Sequence, residues 1–257
     1  MPIFAKKRFS QNFLKDQRVI ENIIRLLQPR KDQHWVEIGP GLGALTTALL
    51  QKTGELDVIE IDRDLIAPLT AACELLGELH VHVYDALKFD FHSLVTQQEK
   101  LHVVGNLPYH ISSPLIFYLL KFANDIQDMH FMLQKEVVDR IVAKPGSKTY
   151  GRLSVMVQYF CRAEKLLNIP PTAFYPVPKV HSAIVRLEPY KKKPVTCKDE
   201  TVFTEVVKQA FSQRRKTISN ALKKLVSAQT LAAVGIDPSS RAETLGVEAF
   251  IRISNAS

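Results

Sequence analysis

The sequence of 257 residues predicts an α/β fold, followed by a small helical domain. Segments with strand and helix patterns alternate between residues 34 and 187, which is typical of a sheet with helices on both faces. A glycine-rich turn follows the first of these strands. Beyond a linker rich in lysine and proline at 191–194, only short helical patterns remain. We therefore expect two domains, 1–188 and 189–257.

The first half of the chain predicts the strands that carry the site. A helix with its N-cap at Asp16 has apolar residues at helical spacing, namely Val19, Ile20, Ile23, Ile24 and Leu27. Strands are expected at 34–38, 56–62, 79–83 and 101–104. Helices are expected between them at 43–52 and 65–76. His80 and His82 are interpreted as structural, and Asp90 as a turn or cap residue with Phe89 and Phe91 packed beside it.

The second half continues the pattern and then becomes helical. Strands are expected at 128–133, 163–169 and 180–187, and helices at 112–122, at 135–143 and in the segment that ends at Tyr159. The alternating strand 180–187 is expected to be antiparallel and to lie at the edge of the sheet. Short helices are expected at 201–211, 215–226, 228–234 and 246–252, with Gly235 as a C-cap.

The composition is ordinary for a globular protein and excludes several classes. Hydrophobic residues make up 46% of the chain, and no run of 18 apolar residues predicts a membrane span. The basic N-terminal residues are not followed by the apolar segment of a secretory signal. Cys73, Cys161 and Cys197 are far apart without a CxxC motif, which favours the reducing cytoplasm over a disulfide framework or a zinc site.

The positive charge is concentrated in the C-terminal domain. Residues 189–257 contain 12 Lys or Arg and 6 Asp or Glu, so they carry +6 of the total net charge of +8. A near-neutral body with a basic terminal domain suggests a polyanionic partner. The alternative is a basic surface that only keeps the protein soluble.

The turn after the first strand is a candidate cofactor site. Gly39, Gly41 and Gly43 allow a sharp bend and a close approach of a ligand. The following helix directs N–H groups into this space, which favours a negatively charged group and a nucleotide-like cofactor. Because the spacing Gly39-x-Gly41-x-x-Ala44 also fits the dinucleotide fingerprint, a nicotinamide cofactor stays open, as does a plain tight turn.

Polar residues lie just past the ends of the strands that follow. Glu60, 21 residues after Gly39, is suited to accept hydrogen bonds from ribose hydroxyls, or is a solvated charge. Asp85 is suited to accept a bond from an adenine amino group, or caps the next turn. With Asn106 after the fourth strand, these residues are expected to converge at the carboxyl edge of the sheet.

The segment Asn106-Leu107-Pro108-Tyr109 predicts chemistry on a planar amine. The exocyclic nitrogen of an adenine is a poor nucleophile because its lone pair is delocalised into the ring. Asn106 Oδ1 and the carbonyl of Leu107 or Pro108 can draw this nitrogen toward tetrahedral geometry, and proline fixes the turn. Tyr109 offers a ring on which the base can stack. Phe174 and Tyr175 can supply the opposite face, or they pack in a core or turn.

The motifs together resemble the small-subunit (16S) ribosomal RNA adenine N6,N6-dimethyltransferase family. The resemblance spans essentially the whole chain and is carried, in order and spacing, by FSQNFL (9–14), VEIGPGLGALT (36–46), VIEID (58–62), NLPY (106–109), LQKEVVDRI (133–141), YGRLSVMVQY (150–159) and FYPVPKVHSAIV (174–185). It implies a Rossmann-like, seven-stranded class I methyltransferase sheet and a small all-α C-terminal domain. It also implies transfer of methyl groups from S-adenosylmethionine to N6 of two adjacent adenines near the 3′ end of 16S rRNA, within the immature 30S subunit.

The family's roles carry over by position. The resemblance places the cofactor against Gln11, Asn12, Leu14, Glu37, Gly39, Gly41, Glu60, Ile61, Asp85, Ala86 and Asn106. It places the target adenine in a pocket of Asn106, Leu107, Pro108 and Tyr109, with Phe174 stacked on the flipped base. It assigns contacts with RNA phosphates to Lys191, Lys192, Lys193, Arg214, Arg215 and Lys216. We expect a cytoplasmic monomer that uses no metal and no membrane.

Three alternatives remain at this point. A 23S rRNA adenine methyltransferase of the macrolide-resistance type shares the chemistry of 106–109. A nicotinamide oxidoreductase would use the glycine turn but leaves 106–109 and the basic C-terminal domain unexplained. A non-catalytic assembly factor on the same fold would have no need for the acceptors at 106–109.

Overall fold

A computed structural model of the protein describes residues 12–95, 99–109, 111–213 and 215–257. The chain forms two compact units, which we call the first unit (residues 1–138 and 164–189) and the second unit (139–163 and 190–257). The expected domain boundary at residue 188 lies within one residue of the point where the chain leaves the first unit for the last time. However, segment 139–163, expected in the first domain, belongs to the second unit, because its Tyr159 ring packs on Phe203 with a centroid distance of 4.4 Å.

The elements largely follow the expected order. The strands are β1 (Phe13–Leu14), β2 (His34–Ile38), β3 (Glu55–Glu60), β4 (Glu78–Val83), β5 (Leu101–Asn106), β6 (Ile126–Gln134), β7 (Cys161–Ile169), β8 (Phe174–Tyr175) and β9 (Ser182–Pro189). The helices are α1 (Gln17–Leu27), α2 (Ala44–Thr53), α3 (Ile66–Cys73), α4 (Ser112–Leu119), α5 (Lys135–Ile141), α6 (Arg152–Phe160), α7 (Glu200–Ala210), α8 (Ile218–Leu222), α9 (Ala228–Ala233) and α10 (Val247–Asn255). The strands β1 and β8 have no counterpart among the expected elements.

Seven strands form one mixed sheet in the order β4-β3-β2-β5-β6-β9-β7. The first five strands of this order are parallel to one another. The chain runs from β2 outward to β4 and then returns to place β5 on the other side of β2. This reversal makes a topological switch point between β2 and β5, where open α/β sheets bind their ligands.

The strand β9 corrects one expectation. It is antiparallel to β6, as predicted, but it lies between β6 and β7 rather than at the edge. The side chains of Ala183, Ile184 and Val185 are all buried, so both faces of the strand are covered. The edge position belongs to β7, which exposes much of its length.

Side-chain caps explain where two elements begin. Asp16 accepts hydrogen bonds from the backbone N–H groups of Arg18 and Val19 at 2.9 and 3.2 Å, which confirms it as the N-cap of α1. Asp90 accepts from the His92 N–H at 3.1 Å, which confirms its turn role.

None of the described helices has the length and apolar content needed to cross a membrane.

Each unit has its own apolar core. In the first unit, Trp35, Leu49 and Val58 belong to a cluster that joins the sheet to α1, α2 and α3. In the second unit, Phe203 and Phe250 are fully buried. All three cysteines are free.

A carboxylate bridges two histidines across three strands of the first unit. Asp57 lies 2.7 Å from His34 Nε2 and 2.5 Å from His82 Nε2. Burial alone would raise the pKa of Asp57, but the hydrogen bonds from His34 and His82 outweigh it and hold the pKa below its usual value. The hydrogen bond to Asp57 raises the pKa of His34. The pairing therefore links β2, β3 and β4 in a pH-dependent way.

We predict that Asp57→Asn lowers the free energy of unfolding by roughly 1–3 kcal/mol, most strongly between about pH 4 and pH 6.5. The carboxylate contributes above its unfolded pKa, and this contribution is lost as pH falls through its lowered folded pKa. Protonated His34 contributes below its unfolded pKa, and this contribution is lost as pH rises through its raised folded pKa. Urea denaturation at a series of pH values measures the difference.

Glu55→Gln is the matched control, because the His80–Glu55 pair on the same strands is solvent-exposed. We expect little change in stability for this variant at any pH. A loss in Asp57→Asn that does not vary with pH would contradict the proposed linkage.

Candidate active site

A cavity of about 350 Å³ opens at the carboxyl ends of β2, β3, β4 and β5. It lies at the switch point, so the expected convergence of strand ends is confirmed. The candidate residues that line it are Asn12, Leu14, Glu37, Gly39, Gly41, Glu60, Ile61, Asp85, Ala86, Asn106, Leu107, Pro108 and Tyr109.

The glycine turn follows β2 in the left-handed conformation that its sequence predicts. The φ angles of Gly39, Gly41 and Gly43 are +70°, +59° and +82°. A Cβ on Gly41 would also lie 3.1 Å from the ring of Phe13. The turn therefore lets the ring of Phe13, which lines the cavity, pack directly against the backbone.

Three N–H groups of this turn are used inside the protein, and the first is that of Gly39, which donates to the Ile59 carbonyl at 2.9 Å. The Gly41 N–H donates to Glu60 Oε2 at 3.3 Å, and the Gly43 N–H donates to the Pro40 carbonyl at 3.0 Å. The expectation that the following helix directs its N–H groups toward a negatively charged ligand concerns α2 and stays a prediction, because these donors belong to the turn itself. Their acceptors already lie within the chain.

Two buried carboxylates stand below the turn. Glu37 Oε2 accepts from the Thr46 hydroxyl on α2 at 2.6 Å. Burial, supported by the nearby charge of Glu60 and opposed by the Thr46 bond, raises the pKa of Glu37 to about 7. Burial also raises the pKa of Glu60, although the Asp62 N–H donates to its Oε1 at 2.8 Å. Thr46 was not a candidate, and only its position on the helix after the turn could have indicated it.

The charge of the cavity wall is negative. Glu37, Glu60 and Asp85 line it, whereas the described residues of the lining include no Lys, Arg or His. Asp85 also caps the next turn, since its Oδ1 accepts from the Leu87 N–H at 3.0 Å. Such a wall favours a cationic ligand and disfavours an anionic one. No group of three or more His, Cys, Asp or Glu among the described residues is arranged to hold a metal ion.

The position of Asn106 depends on a glycine that is not among the sequence candidates. A Cβ on Gly105 would lie 2.5 Å from the Ile38 carbonyl oxygen, so only glycine lets the ends of β2 and β5 approach this closely. The signal in the sequence is a glycine inside an apolar strand, just before the polar residue that ends it.

The side chain of Asn106 has a defined orientation. Its Nδ2 donates to the Asn12 carbonyl at 2.8 Å, which leaves Oδ1 as the end that can accept. The Pro108 carbonyl accepts from the Ile111 N–H at 3.1 Å. No bond to the Leu107 carbonyl is found within the described part of the chain, so this oxygen is the better second acceptor.

The hydroxyl of Tyr109 is held by a residue of β9, which lies two strands away from β5 in the sheet. This hydroxyl lies 2.9 Å from the hydroxyl of Ser182, the first residue of β9. Ser182 is fully buried and was not a candidate. The aromatic face of Tyr109 is thus fixed at the wall of the cavity.

The predicted roles of two site residues, Phe174 and Gln11, are not supported by the geometry of the cavity. Phe174 is fully buried, belongs to the core cluster with Leu14 and Ile184, and does not line the cavity. The expected stacking of Phe174 on a base therefore has no support in this structure, because its pairing opposite Leu14 directs it into the core. Gln11 lies outside the described residues.

The basic candidates in the second unit are not equivalent. Lys193 pairs with Glu200 and lies over the rings of Tyr159 and Phe160, at 4.4 and 4.3 Å from their centroids. It is therefore engaged within the unit. The exposed candidates are Lys191, Lys192, Arg215 and Lys216, whereas Arg214 lies outside the described residues.

Known proteins share this architecture over nearly the whole chain. The ribosomal RNA small subunit methyltransferase A of Hydrogenovibrio crunogenus is 55% identical and is matched over 97% of this chain and 95% of its own length. The protein of the same name from Pseudomonas aeruginosa is 54% identical, over 98% and 94%.

Solved structures of two methyltransferases share the fold of this chain. A dimethyladenosine transferase from Plasmodium falciparum superimposes with a TM-score of 0.80 at 27% identity, covering 94% of this chain and 95% of that one. The 23S rRNA methyltransferase ErmE superimposes with a TM-score of 0.73 at 25% identity, covering 95% and 99%. The family model described as ribosomal RNA adenine dimethylase matches residues 4–257, and the chain therefore belongs to the ribosomal RNA adenine dimethylase family.

Proposed function

We propose that this chain transfers methyl groups from S-adenosylmethionine to N6 of two adjacent adenines in the 3′-terminal hairpin loop of 16S rRNA. The observation that carries the proposal is the turn 106–109, whose acceptors and aromatic ring open into an acidic cavity. The proposed domain roles are catalysis for 1–188 and RNA binding for 189–257. The proposed setting is the immature 30S subunit in the cytoplasm, and a monomer stays a prediction.

The charge of the cavity suits this cofactor. S-adenosylmethionine, when bound, supplies an electrophilic methyl group on a positively charged sulfur. Glu60 and Asp85 favour such a cation, and Glu37, whose pKa is about 7, adds to this attraction in its ionised form. Glu60 would accept hydrogen bonds from the ribose hydroxyls. A nicotinamide dinucleotide would instead bring its pyrophosphate to a turn whose Gly41 N–H already donates to Glu60. The acidic wall therefore disfavours the oxidoreductase alternative.

The residues of the turn activate the adenine without a strong base. Asn106 Oδ1 and the Leu107 carbonyl accept from the N6 amino group and draw it out of conjugation with the ring. S-adenosylmethionine, when bound, would supply its methyl group to this nitrogen lone pair, and its sulfur would leave as a neutral thioether. The resulting aryl ammonium is strongly acidic, so its proton passes to water. Positioning supplies much of the acceleration, and Tyr109 holds the base plane.

The relatives favour a small-subunit substrate. The two relatives described above that are named as small-subunit methyltransferases are 55% and 54% identical, whereas the 23S rRNA methyltransferase is 25% identical. The direct test compares methylation of immature 30S particles with that of isolated 23S domain V RNA, followed by mass mapping of the products. We expect dimethyladenosine only in the 16S hairpin. Methylation of the 23S fragment alone would support the alternative.

We predict that Asn106→Ala removes at least about 3 kcal/mol of transition-state stabilisation, which is measured as a lower kcat. The variant loses the acceptor that polarises N6, whereas cofactor affinity changes only a few fold because most of the cavity wall is intact. Single-turnover kinetics and equilibrium binding of the cofactor measure the two quantities separately.

Tyr109→Phe is the control for that variant, because it retains the ring and removes only the hydroxyl bonded to Ser182. Its turnover should fall less than tenfold. Retained turnover in Asn106→Ala would show that the amide is not part of the chemistry.

We also predict that neutralising Arg214, Arg215 and Lys216 weakens RNA binding and reduces its salt dependence. Each lost phosphate contact lowers the slope of log K against log salt by about 0.7–0.9. Filter binding between low and physiological salt measures this slope. Lys208→Ala is the control, because Lys208 pairs with Glu205 on α7. An unchanged slope in the triple variant would remove this cluster from the RNA contact.

A further inference from the structure

The segment 175–181 borders the cavity at both of its ends. At one end, Tyr175 in β8 pairs with Phe13 in β1, and Phe13 lines the cavity. At the other end, Ser182 bonds to the hydroxyl of Tyr109, which lines the cavity as well. Both ends of the segment are therefore anchored to residues that line the cavity, one on the cofactor side and one in the turn 106–109.

The two aromatic residues of β8 face opposite ways. Directly paired residues of antiparallel strands project to the same face, and successive residues alternate. Phe174 and its partner Leu14 therefore project into the core, where both are buried. Tyr175 projects to the same side as Phe13 and is 59% exposed. The aromatic ring that this segment offers to a substrate is that of Tyr175.

The neighbours of Tyr175 suit an unpaired nucleotide. Val177 and Val180 are exposed, and Lys179 between them provides an exposed positive charge. An aromatic side chain beside a cation is the combination that holds single-stranded nucleic acid, since the ring stacks on a base and the cation meets the phosphate. Two prolines, Pro176 and Pro178, restrict the backbone between these side chains.

We propose that Tyr175 stacks on the base of the nucleotide adjacent to the target adenine. This inference rests on the proposed function, in which two neighbouring adenines are methylated. While one adenine occupies the cavity against Tyr109, the next remains outside, and Tyr175 borders the cavity but is not in its lining. Tyr175 is thus a positioning residue that holds the adjacent base apart from the target and prevents the two from restacking.

The first test is a kinetic comparison of Tyr175→Ala, Tyr175→Phe and the unchanged protein on immature 30S particles. Removing one stacked aromatic should raise KM for the particle about 5- to 150-fold, with kcat and cofactor affinity within a few fold. Tyr175→Phe should restore KM, because the ring does the stacking. Leu75→Ala, at an exposed apolar residue of the first unit outside the cavity lining, is the control and should resemble the unchanged protein.

The second test observes the adjacent base directly. Small-subunit particles are reconstituted with 16S rRNA in which one of the two adenines is replaced by fluorescent 2-aminopurine, whose emission is quenched by stacking. The unchanged protein and Tyr175→Phe should quench this emission on binding, whereas Tyr175→Ala should not. In particles that carry an abasic site at the same position, Tyr175→Ala and the unchanged protein should have equal KM.

The outcomes separate this inference from the proposed function. If the unchanged protein does not methylate the particles at all, the proposed function fails. If it methylates them and Tyr175→Ala behaves identically, only the role of Tyr175 fails. A raised KM with unchanged quenching would overturn stacking on RNA and would assign the segment 175–181 to a protein of the particle.

Discussion

The close approach of β2 and β5 is the constraint on which the site depends. Their carboxyl ends come together because Gly105 has no side chain to meet the Ile38 carbonyl. This contact places the glycine turn after β2 next to the turn 106–109 after β5. In the proposed function, the first turn shapes the cofactor side of the cavity, and the second presents the acceptors for the amine. Two adjacent strands would thereby hold a methyl donor and its acceptor within one small cavity.

The parts predicted well are those that local sequence determines. The order of strands and helices in the first unit follows hydrophobic periodicity, and the carboxylates at strand ends reach the cavity because parallel strands end at one edge. The same rule placed Glu60, Asp85 and Asn106 together without any knowledge of their contacts. The orientation of the Asn106 amide required the structure, since its partner is a carbonyl 94 positions away in sequence.

The errors arise where distant segments decide the outcome. The alternation in β9 predicted an edge strand, but β7 pairs outside it. Segment 139–163 has ordinary helical patterns, and only the packing of Tyr159 on Phe203 shows which unit it joins. Phe174 and Tyr175 are adjacent aromatics, and their opposite environments follow from pairing with β1, an element of two residues that periodicity cannot detect.

The acidic wall of the cavity also bears on how a catalytic cycle ends. If the ligand is the proposed sulfonium compound, transfer of its methyl group leaves a neutral thioether, and the attraction toward Glu37, Glu60 and Asp85 weakens at that moment. The spent molecule is then held less firmly than a fresh one. Because each adenine receives two methyl groups, the same wall that attracts the donor favours its replacement between successive transfers.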